Sequence, residues 1–238
     1  VSQNTALTNL NCIGNQLTSL DLSNNTALTG VGVESNQLTT LDVSQNTALT
    51  NLNCIGNQLT TLDLSNNTAL STLGCSFNQL TSLDLSNNTA LTGVGCQNNQ
   101  LTTLDVSQNT ALISITCHAN QLTTLDLSNN TALSTLGCSF NQLTSLDVSN
   151  GNNMAFTDFS STYNPNLYCI DVDDPTYSTT NWTNIDSWSS FSLNCATALG
   201  CTDSLAFNYN PLANSDDGSC ICSDISFNTP IYQDNSLN

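Results

Sequence analysis

The sequence predicts an all-β protein, a right-handed β-solenoid with two short strands in each 21-residue coil. The segment 59–79 recurs letter for letter at 122–142, and related copies begin at Leu17, Leu38, Leu80, Leu101 and Leu143. A fixed period of this size is typical of solenoids. One unit cannot bury its own apolar face, so the stacked units together form the core.

Each period contains two half-turns of the same pattern, written L-x-x-L-x-C-x-x-N at 70–78 and L-x-x-L-x-L-x-x-N at 80–88. The alternation of Leu83, Asp84 and Leu85 predicts a strand with leucine inward and aspartate outward. Neither half-turn is long enough for a helix, so we expect none in the repeats. Asn78 and Asn88 are predicted to close the turns, where asparagine tolerates left-handed backbone. Stacked asparagines should also satisfy backbone groups inside the coil.

Six cysteines occupy one position of the repeat: Cys12, Cys54, Cys75, Cys96, Cys117 and Cys138. Val33 stands at that position in the remaining coil, which indicates a small apolar side chain facing inward. We therefore expect these thiols to be reduced packing residues. A disulfide between neighbours is the alternative, because stacked Cα atoms lie about 4.8 Å apart, although their side chains point the same way.

The unit L-x-x-L-x-C-x-x-N-Q-L-T-x-L-D-L/V-S-x-N-T-A-L resembles the cysteine-ladder leucine-rich repeats of internalin-J-type surface proteins, and more closely those of secreted Bacteroidota proteins. The resemblance covers Val1 to about Asp174. It implies a secreted, extracellular or cell-surface protein that takes part in adhesion and is not an enzyme. Because 1–16 is identical to 43–58, the first coil has no cap, and we expect a longer secreted parent polypeptide.

The pattern divides the chain into a solenoid at 1–150, irregular last coils and a cap at 151–197, a small module at 198–222, and a linker or tail at 223–238. Cys169 aligns with Ser145, an outward position, so it is free to bond outside the ladder. The aromatic residues Trp182, Trp188 and Phe191 suit a cap over the last coil. The segment 164–195 resembles the C-terminal cap of the same bacterial family, and this resemblance implies a disulfide between Cys169 and Cys195.

The segment GCTDSLAFNYNPLANSDDGSC at 200–220 resembles a short module of secreted Bacteroidota proteins, closed by a disulfide between Cys201 and Cys220. Oxygen ligands suited to Ca²⁺, the one cofactor we expect, are offered by Asp203, Asn208, Asn210, Asp216 and Asp217. Asx turns held by the disulfide are the alternative explanation for the same residues. Cys222 is left without an assigned partner.

The chain has no lysine or arginine among 238 residues, and its net charge is −18. Electrostatics therefore exclude nucleic acid and an anionic membrane surface as partners, and no membrane insertion is expected. Seven aspartates form one row: Asp21, Asp42, Asp63, Asp84, Asp105, Asp126 and Asp147. Their mutual repulsion should be offset by hydrogen bonds from neighbouring hydroxyl and amide groups, or alternatively by bound cations.

A catalytic site is not indicated, because the only histidine, His118, has no accompanying base or activated nucleophile. We expect the cysteine-bearing strands to form a contact face for other chains, in a homo-oligomer or fibre, or for cell-surface glycans. The outward residues that mark this face are Gly30, Gly32, Gly93, Gly95, Glu34 and His118. The alternative is an ice-binding or carbohydrate-binding surface on the face that carries the Thr, Ser and Asp rows.

Overall fold

The computed structural model describes residues 1, 3–197, 199–201, 203–207, 209, 215–216 and 220–221. The chain divides into two compact units, Val1–Cys195 and Ala196–Asn238. The predicted tail at 223–238 and Cys222 lie outside the described residues. The predicted subdivision at residue 150 stays a prediction.

The first unit is a parallel β-solenoid in which each coil adds one strand to the main sheet. This sheet has eight strands, in the order of the chain. Neighbouring strands of the regular repeats pair in register 21 residues apart, for example Leu52 with Leu73, and the last strand pairs at a separation of 23 residues, Phe159 with Leu136. The strands are β1 Asn9–Asn11, β2 Gly30–Gly32, β3 Asn51–Asn53, β4 Thr72–Gly74, β5 Gly93–Gly95, β6 Ser114–Thr116, β8 Thr135–Gly137 and β10 Asp158–Ser160. Seven of them lie within 1–150, as the period predicts.

A second parallel sheet forms on the other side of the last coils. Its strands are β7 Thr124–Asp126, β9 Ser145–Asp147, β11 Cys169–Asp171 and β12 Ser190–Ser192. The sequence predicts this second strand in every coil, but the equivalent segments before Thr124 are not strands. Side chains satisfy the flanking backbone donors in coils without this strand and in coils with it: Asn36 Oδ1 accepts the Leu17 amide at 3.0 Å, and Asn141 Oδ1 accepts the Leu122 amide at 3.0 Å.

The apolar positions of the repeat form one continuous core between the two sides of the coil. Leu28 and Leu38 are fully buried, and Val33 is as inaccessible as Cys54, both at 0% exposure. This equality confirms that the cysteine position faces inward. Burying each leucine contributes about 1.5–3 kcal/mol, so the stack derives its stability from repetition of the same small core.

Two asparagine ladders form hydrogen bonds with the backbone groups of the turns inside the core. Asn78 of the first ladder donates through Nδ2 to the carbonyls of Cys54 at 3.1 Å and Cys75 at 3.0 Å, while its Oδ1 accepts the Leu59 amide at 3.0 Å. Asn88 of the second donates to the carbonyls of Leu64 and Asn67 at 3.1 and 2.9 Å. The first ladder comprises Asn36, Asn57, Asn78, Asn99, Asn120, Asn141 and Asn164, and the second Asn25, Asn46, Asn67, Asn88, Asn109, Asn130 and Asn150.

In each coil, the residue just before the first-ladder asparagine has a left-handed backbone conformation. The sequence predicts that Asn78 could adopt this conformation, but Phe77 does so, with φ of 55°. Gly14 and Gly56 stand at the same place in other coils, and they are the sequence signal for the turn. Asn78 instead keeps its side chain inside the core, where its amide group is needed for the ladder.

The last coils are closed by an aromatic cluster and a disulfide. Trp182 stacks on Phe159 with ring centroids 4.4 Å apart, and Phe156 and Phe191 pack on its other sides. Trp188, which is also expected in the cap, is 47% exposed. The disulfide joins Cys169, which pairs in register with Ser190 in the second sheet, to Cys195.

The only α-helix among the described residues, α1 Pro175–Asn181, lies beside this cluster in the chain. Asp174 caps it by accepting the amides of Thr176 and Tyr177, and Pro175 occupies its first position. Two short 3₁₀ helices span Asn153–Ala155 and Cys195–Thr197. No helix in the described part of the chain is long and apolar enough to cross a membrane.

The second unit contains the disulfide between Cys201 and Cys220 and two short parallel strands, β13 Leu199–Gly200 and β14 Ser215–Asp216. Three of its predicted calcium ligands, Asn208, Asn210 and Asp217, lie outside the described residues. Of the other two, Asp203 accepts the Leu205 amide at 2.9 Å, which is an Asx turn. The calcium site therefore stays a prediction.

Candidate functional site

Each coil has a constant half and a variable half. The constant half follows the pattern N-Q-L-T-S/T-L-D-L/V-S-N/Q-N-T-A, which begins at Asn15 and recurs in every coil up to Ala132. The differences between coils fall on the main-sheet strands and on the residues that follow them. We call the outward side of the main sheet the variable face. It includes an edge row, two residues after each strand: Ile13, Glu34, Ile55, Ser76, Gln97, His118, Ser139 and Thr162.

The constant half carries the aspartate row, and hydrogen bonds stabilise its charge. Asp63 Oδ1 accepts the Ser65 amide at 2.9 Å. This amide and then the Ser65 hydroxyl lower the pKa of Asp63, against the opposing charge of Asp84. The pKa values of Asp21, Asp42, Asp84 and Asp105 are lowered in the same way by their own serines. These five aspartates are therefore ionised at neutral pH, which disfavours an ice-binding surface on this side.

The variable face is nearly uncharged by comparison. Among the outward strand residues and the edge row, Glu34, Asp158 and His118 are the only ionisable side chains in the described part of the solenoid. Burial lowers the pKa of His118, so the imidazole is neutral at pH 7. The ring of His118 lies over the outward side of the main sheet, against Gly137 of the next coil, where any Cβ would collide with it.

The predicted contact glycines are not equivalent. Gly30 lies beneath the Asn9 side chain, and a Cβ on Gly32 would stand 3.1 Å from Glu34 Oε2. A Cβ on Gly93 would meet nothing closer than a Thr72 methyl at 4.0 Å, and one on Gly95 would have neighbours only at ordinary contact distance, from 3.4 Å. Of the two predicted glycine pairs, only the pair on β5 is therefore uncovered by neighbouring side chains.

Two grooves open on the variable face. A groove of about 440 Å³ lies across β1–β3 and includes Gly30, Gly32 and Glu34. A second groove of about 620 Å³ lies across the last coils, lined by Asn98, His118, Ala119, Ser139, Phe140, Ser160, Thr162 and Asn184. The sequence did not single out this second groove, although the aromatic residues Phe140 and Tyr163, which stack at 4.2 Å on its rim, were a visible signal.

The second groove contains hydroxyl groups and a histidine but no catalytic arrangement. The Ser139 and Ser160 hydroxyl oxygens lie 2.5 Å apart, and Thr162 Oγ1 donates to Ser139 Oγ at 3.1 Å. Within the described residues, His118 is not hydrogen-bonded to any of these hydroxyls, so no nucleophile is paired with a base. The groove offers hydrogen bonds and aromatic surface to a ligand.

The cysteine ladder is chemically inert in this structure. All six of its thiols are free, and five are buried. Burial raises the pKa of Cys54 to about 12, with a further contribution from the charge of Glu34. Burial likewise raises the pKa of Cys96 and Cys138 to about 12. Since the thiolate is the nucleophile, buried thiols protonated to this degree are poor nucleophiles at neutral pH.

The leucine-rich repeat family model matches two stretches of the chain, at residues 15–35 and 78–98. No curated protein matches at a significant level. The matched stretches each span one repeat, and they identify leucine-rich repeats within the solenoid.

Solved structures of bacterial proteins share the fold. The functional domain of InlJ from Listeria monocytogenes, which includes a cysteine ladder, is 33% identical and superposes with a TM-score of 0.51, covering 72% of this chain and 51% of that one. This chain thus spans about half of that domain. Internalin C2 from Listeria monocytogenes is 19% identical, with a TM-score of 0.59 and coverage of 80% and 84%.

A plant structure shares the fold at a lower coverage. It is the leucine-rich-repeat ectodomain of a membrane receptor kinase from Arabidopsis thaliana, in complex with Casparian strip integrity factor 2. It is 20% identical, with a TM-score of 0.54, and covers 63% of this chain and 19% of that one. The two likenesses at about 20% identity establish the fold, a leucine-rich-repeat solenoid, and nothing finer.

Proposed function

We propose that this chain is a non-catalytic, extracellular adhesion or structural segment of a surface or fibre protein, and that its variable face binds other polypeptides. The observation that carries the proposal is that the non-conservative differences between coils fall on the main-sheet strands and the residues that follow them, while the core stays apolar and the aspartate row constant. Structural constraints act equally on every coil. The fold does not require the outward residues of the main sheet to differ between coils, so their variation suits specific contacts with other molecules.

Several further observations support this function. The variable face is nearly uncharged and contains the two grooves described above, whereas the constant face carries the aspartate row. Leucine-rich-repeat proteins of this fold include InlJ and a plant receptor-kinase ectodomain solved in complex with Casparian strip integrity factor 2. The two disulfides fit an oxidising, extracellular compartment. The absence of lysine and arginine removes every trypsin site from the 238 residues, which favours a long-lived external structure.

Substitution of Gly93 and Gly95 by glutamine tests the proposal without disturbing the fold. Both positions have room for a side chain, so the double variant should melt at the wild-type temperature. The bulk it adds to β5 should weaken binding to protein-coated surfaces, or self-association, by at least tenfold. Sedimentation velocity measures self-association, and binding of the variant to surfaces coated with extracellular proteins measures adhesion.

The matched control is Thr103→Gln, an exposed position of the same coil on the constant face. It should leave association unchanged. Equal loss in both variants, or no loss in either, would contradict a binding role for the variable face. Loss in the control alone would favour the alternative, a carbohydrate-binding or ice-binding face on the constant side.

A further inference from the structure

We propose that Glu34 and the groove around it bind a lysine or arginine side chain of a different polypeptide. The inference rests on the proposed function, and it adds the chemistry of one partner group and its place on the variable face. Glu34 is the only glutamate in the chain. It stands in an edge row whose other members are neutral at pH 7.

The carboxylate of Glu34 is incompletely satisfied. Its Oε2 atom is buried, and no hydrogen-bond donor contacts it within the described residues. This oxygen lies over Gly32, 3.1 Å from where a Cβ would stand, and the Ile13 side chain lies 3.7 Å from the same point. A buried carboxylate oxygen without a donor is unfavourable. A cation in the groove beside this carboxylate would stabilise its charge.

The groove has the size and lining for one long side chain. Its volume is about 440 Å³, and it extends over the outward residues of β1, β2 and β3. Two of its walls are held in place, because Asn11 Oδ1 accepts the Ile13 amide at 3.2 Å and Asn53 Oδ1 accepts the Ile55 amide at 3.3 Å. Glu34 is the single charge in this lining. An aliphatic stem could lie along Ile13 and the glycine backbone while its charged end reaches the carboxylate.

The cation must come from another molecule. The 238 residues contain no lysine or arginine, so a second copy of them cannot supply the group. The remaining candidate within the chain is His118, which is half-buried and neutral at pH 7. A homo-oligomer, expected from the sequence, does not explain this groove, whereas a heterologous basic partner does.

A metal ion suits the groove less well than a cationic side chain. Calcium takes six to eight oxygen ligands, usually with several carboxylates. The groove offers one carboxylate, and the described residues contain no group of three or more ligating side chains. The asparagine oxygens nearest to Glu34 already accept backbone amides.

The chain itself provides the variant that tests the inference. Repeats 28–48 and 91–111 are identical except at Val33, Glu34 and Ser35, whose counterparts are Cys96, Gln97 and Asn98. The substitution Glu34→Gln therefore reproduces a residue that the same fold already accommodates at the same position. It removes the charge and keeps the shape, so the variant should fold and melt as the wild type does.

The experiment is a titration followed by NMR of the ¹⁵N-labelled chain with the peptide acetyl-Gly-Gly-Arg-Gly-Gly-amide and its lysine counterpart. We expect saturable shifts of the Gly32 and Glu34 amide signals with one or both peptides. Glu34→Gln should weaken the apparent affinity at least tenfold. A peptide with citrulline, the neutral isostere of arginine, should not bind measurably.

Asp105→Asn is the matched control, since it removes one charge from the exposed row of the constant face. It should leave the titration unchanged. Equal affinities of the wild type and Glu34→Gln would overturn the inference, and so would an equal loss in Asp105→Asn, which would indicate diffuse electrostatic attraction. These results are independent of the Gly93 and Gly95 variants, so failure of the Glu34 site and failure of the proposed function are distinguishable.

Discussion

Raising the pH above 9 will unfold the solenoid steeply, because the folded state holds the protons of its ladder thiols. The pKa of Cys54, Cys96 and Cys138 is raised by burial to about 12, and the pKa of Cys75 and Cys117 is also raised well above its ordinary value of 9.0. Above pH 9 the unfolded chain loses these protons and the folded chain does not. Stability is therefore complete below pH 9 and falls as the pH rises toward 12, by about 1.4 kcal/mol per thiol for each pH unit.

Five buried thiols acting together should reduce the free energy of unfolding by about 5 kcal/mol between pH 9 and pH 10, slightly less than the limiting slope gives because the unfolded thiols are only half ionised at pH 9, and this loss is comparable to the whole stability of a typical domain. Guanidinium unfolding followed by circular dichroism at pH 7.5, 9 and 10, in oxygen-free buffer, measures the effect. The control replaces the five cysteines by valine, the residue that the chain already places at Val33 with 0% exposure. The valine variant should lose most of the alkaline dependence, and an equal dependence in both proteins would show that the thiols are not its cause.

Replacing Asn78 by alanine will destabilise the solenoid by about 3–5 kcal/mol, because several buried backbone groups lose their partner at once. Its Nδ2 group donates to the carbonyls of Cys54, Cys75 and Ser76 at 3.0–3.2 Å, and its Oδ1 accepts the Leu59 amide at 3.0 Å. Water cannot replace these bonds readily, since the side chain is 9% exposed. Urea unfolding of the variant and the wild type measures the difference.

Two further variants make the result specific to the ladder. Asn88→Ala removes only two bonds, to the carbonyls of Leu64 and Asn67, and should destabilise the chain by about 1–3 kcal/mol. Gln79→Ala changes an exposed neighbour and should alter stability by less than about 0.5 kcal/mol. A loss in Asn78→Ala no larger than that in Gln79→Ala would mean that the ladder contributes little.

Much of the backbone could be predicted from the sequence, because a strict period determines which side of the coil each residue occupies. The replacement of a ladder cysteine by Val33 identified the inward position, and the alignment of Cys169 with Ser145 identified an outward one. The first assignment depends on the period alone, and the second on the alignment of 167–172 with 143–148, at an offset of 24 residues. The pairing of Ile170 with Leu146 and the bond of Cys169 to Cys195 in the structure agree with them.

The conformation of outward side chains could not be predicted in this way. Asn9 covers Gly30 and His118 covers Gly137, and in both cases the covering side chain belongs to the preceding coil. Such contacts depend on which two residues happen to be stacked, and a repeat pattern read one coil at a time does not contain that information. The same limit applies to Glu34, since the burial of its Oε2 atom also depends on the side chains stacked around it.

Photo-crosslinking from a single residue tests most directly whether the variable face is the binding surface. A p-benzoylphenylalanine at Thr72, exposed on β4, should form covalent adducts with another polypeptide when the chain is bound to a surface or assembled. The same group at Thr103, exposed on the constant face, should form none. Adducts from Thr72 alone are the result that we predict. Adducts from Thr103 alone, or from neither position under conditions where the chain is bound, would contradict the proposed function.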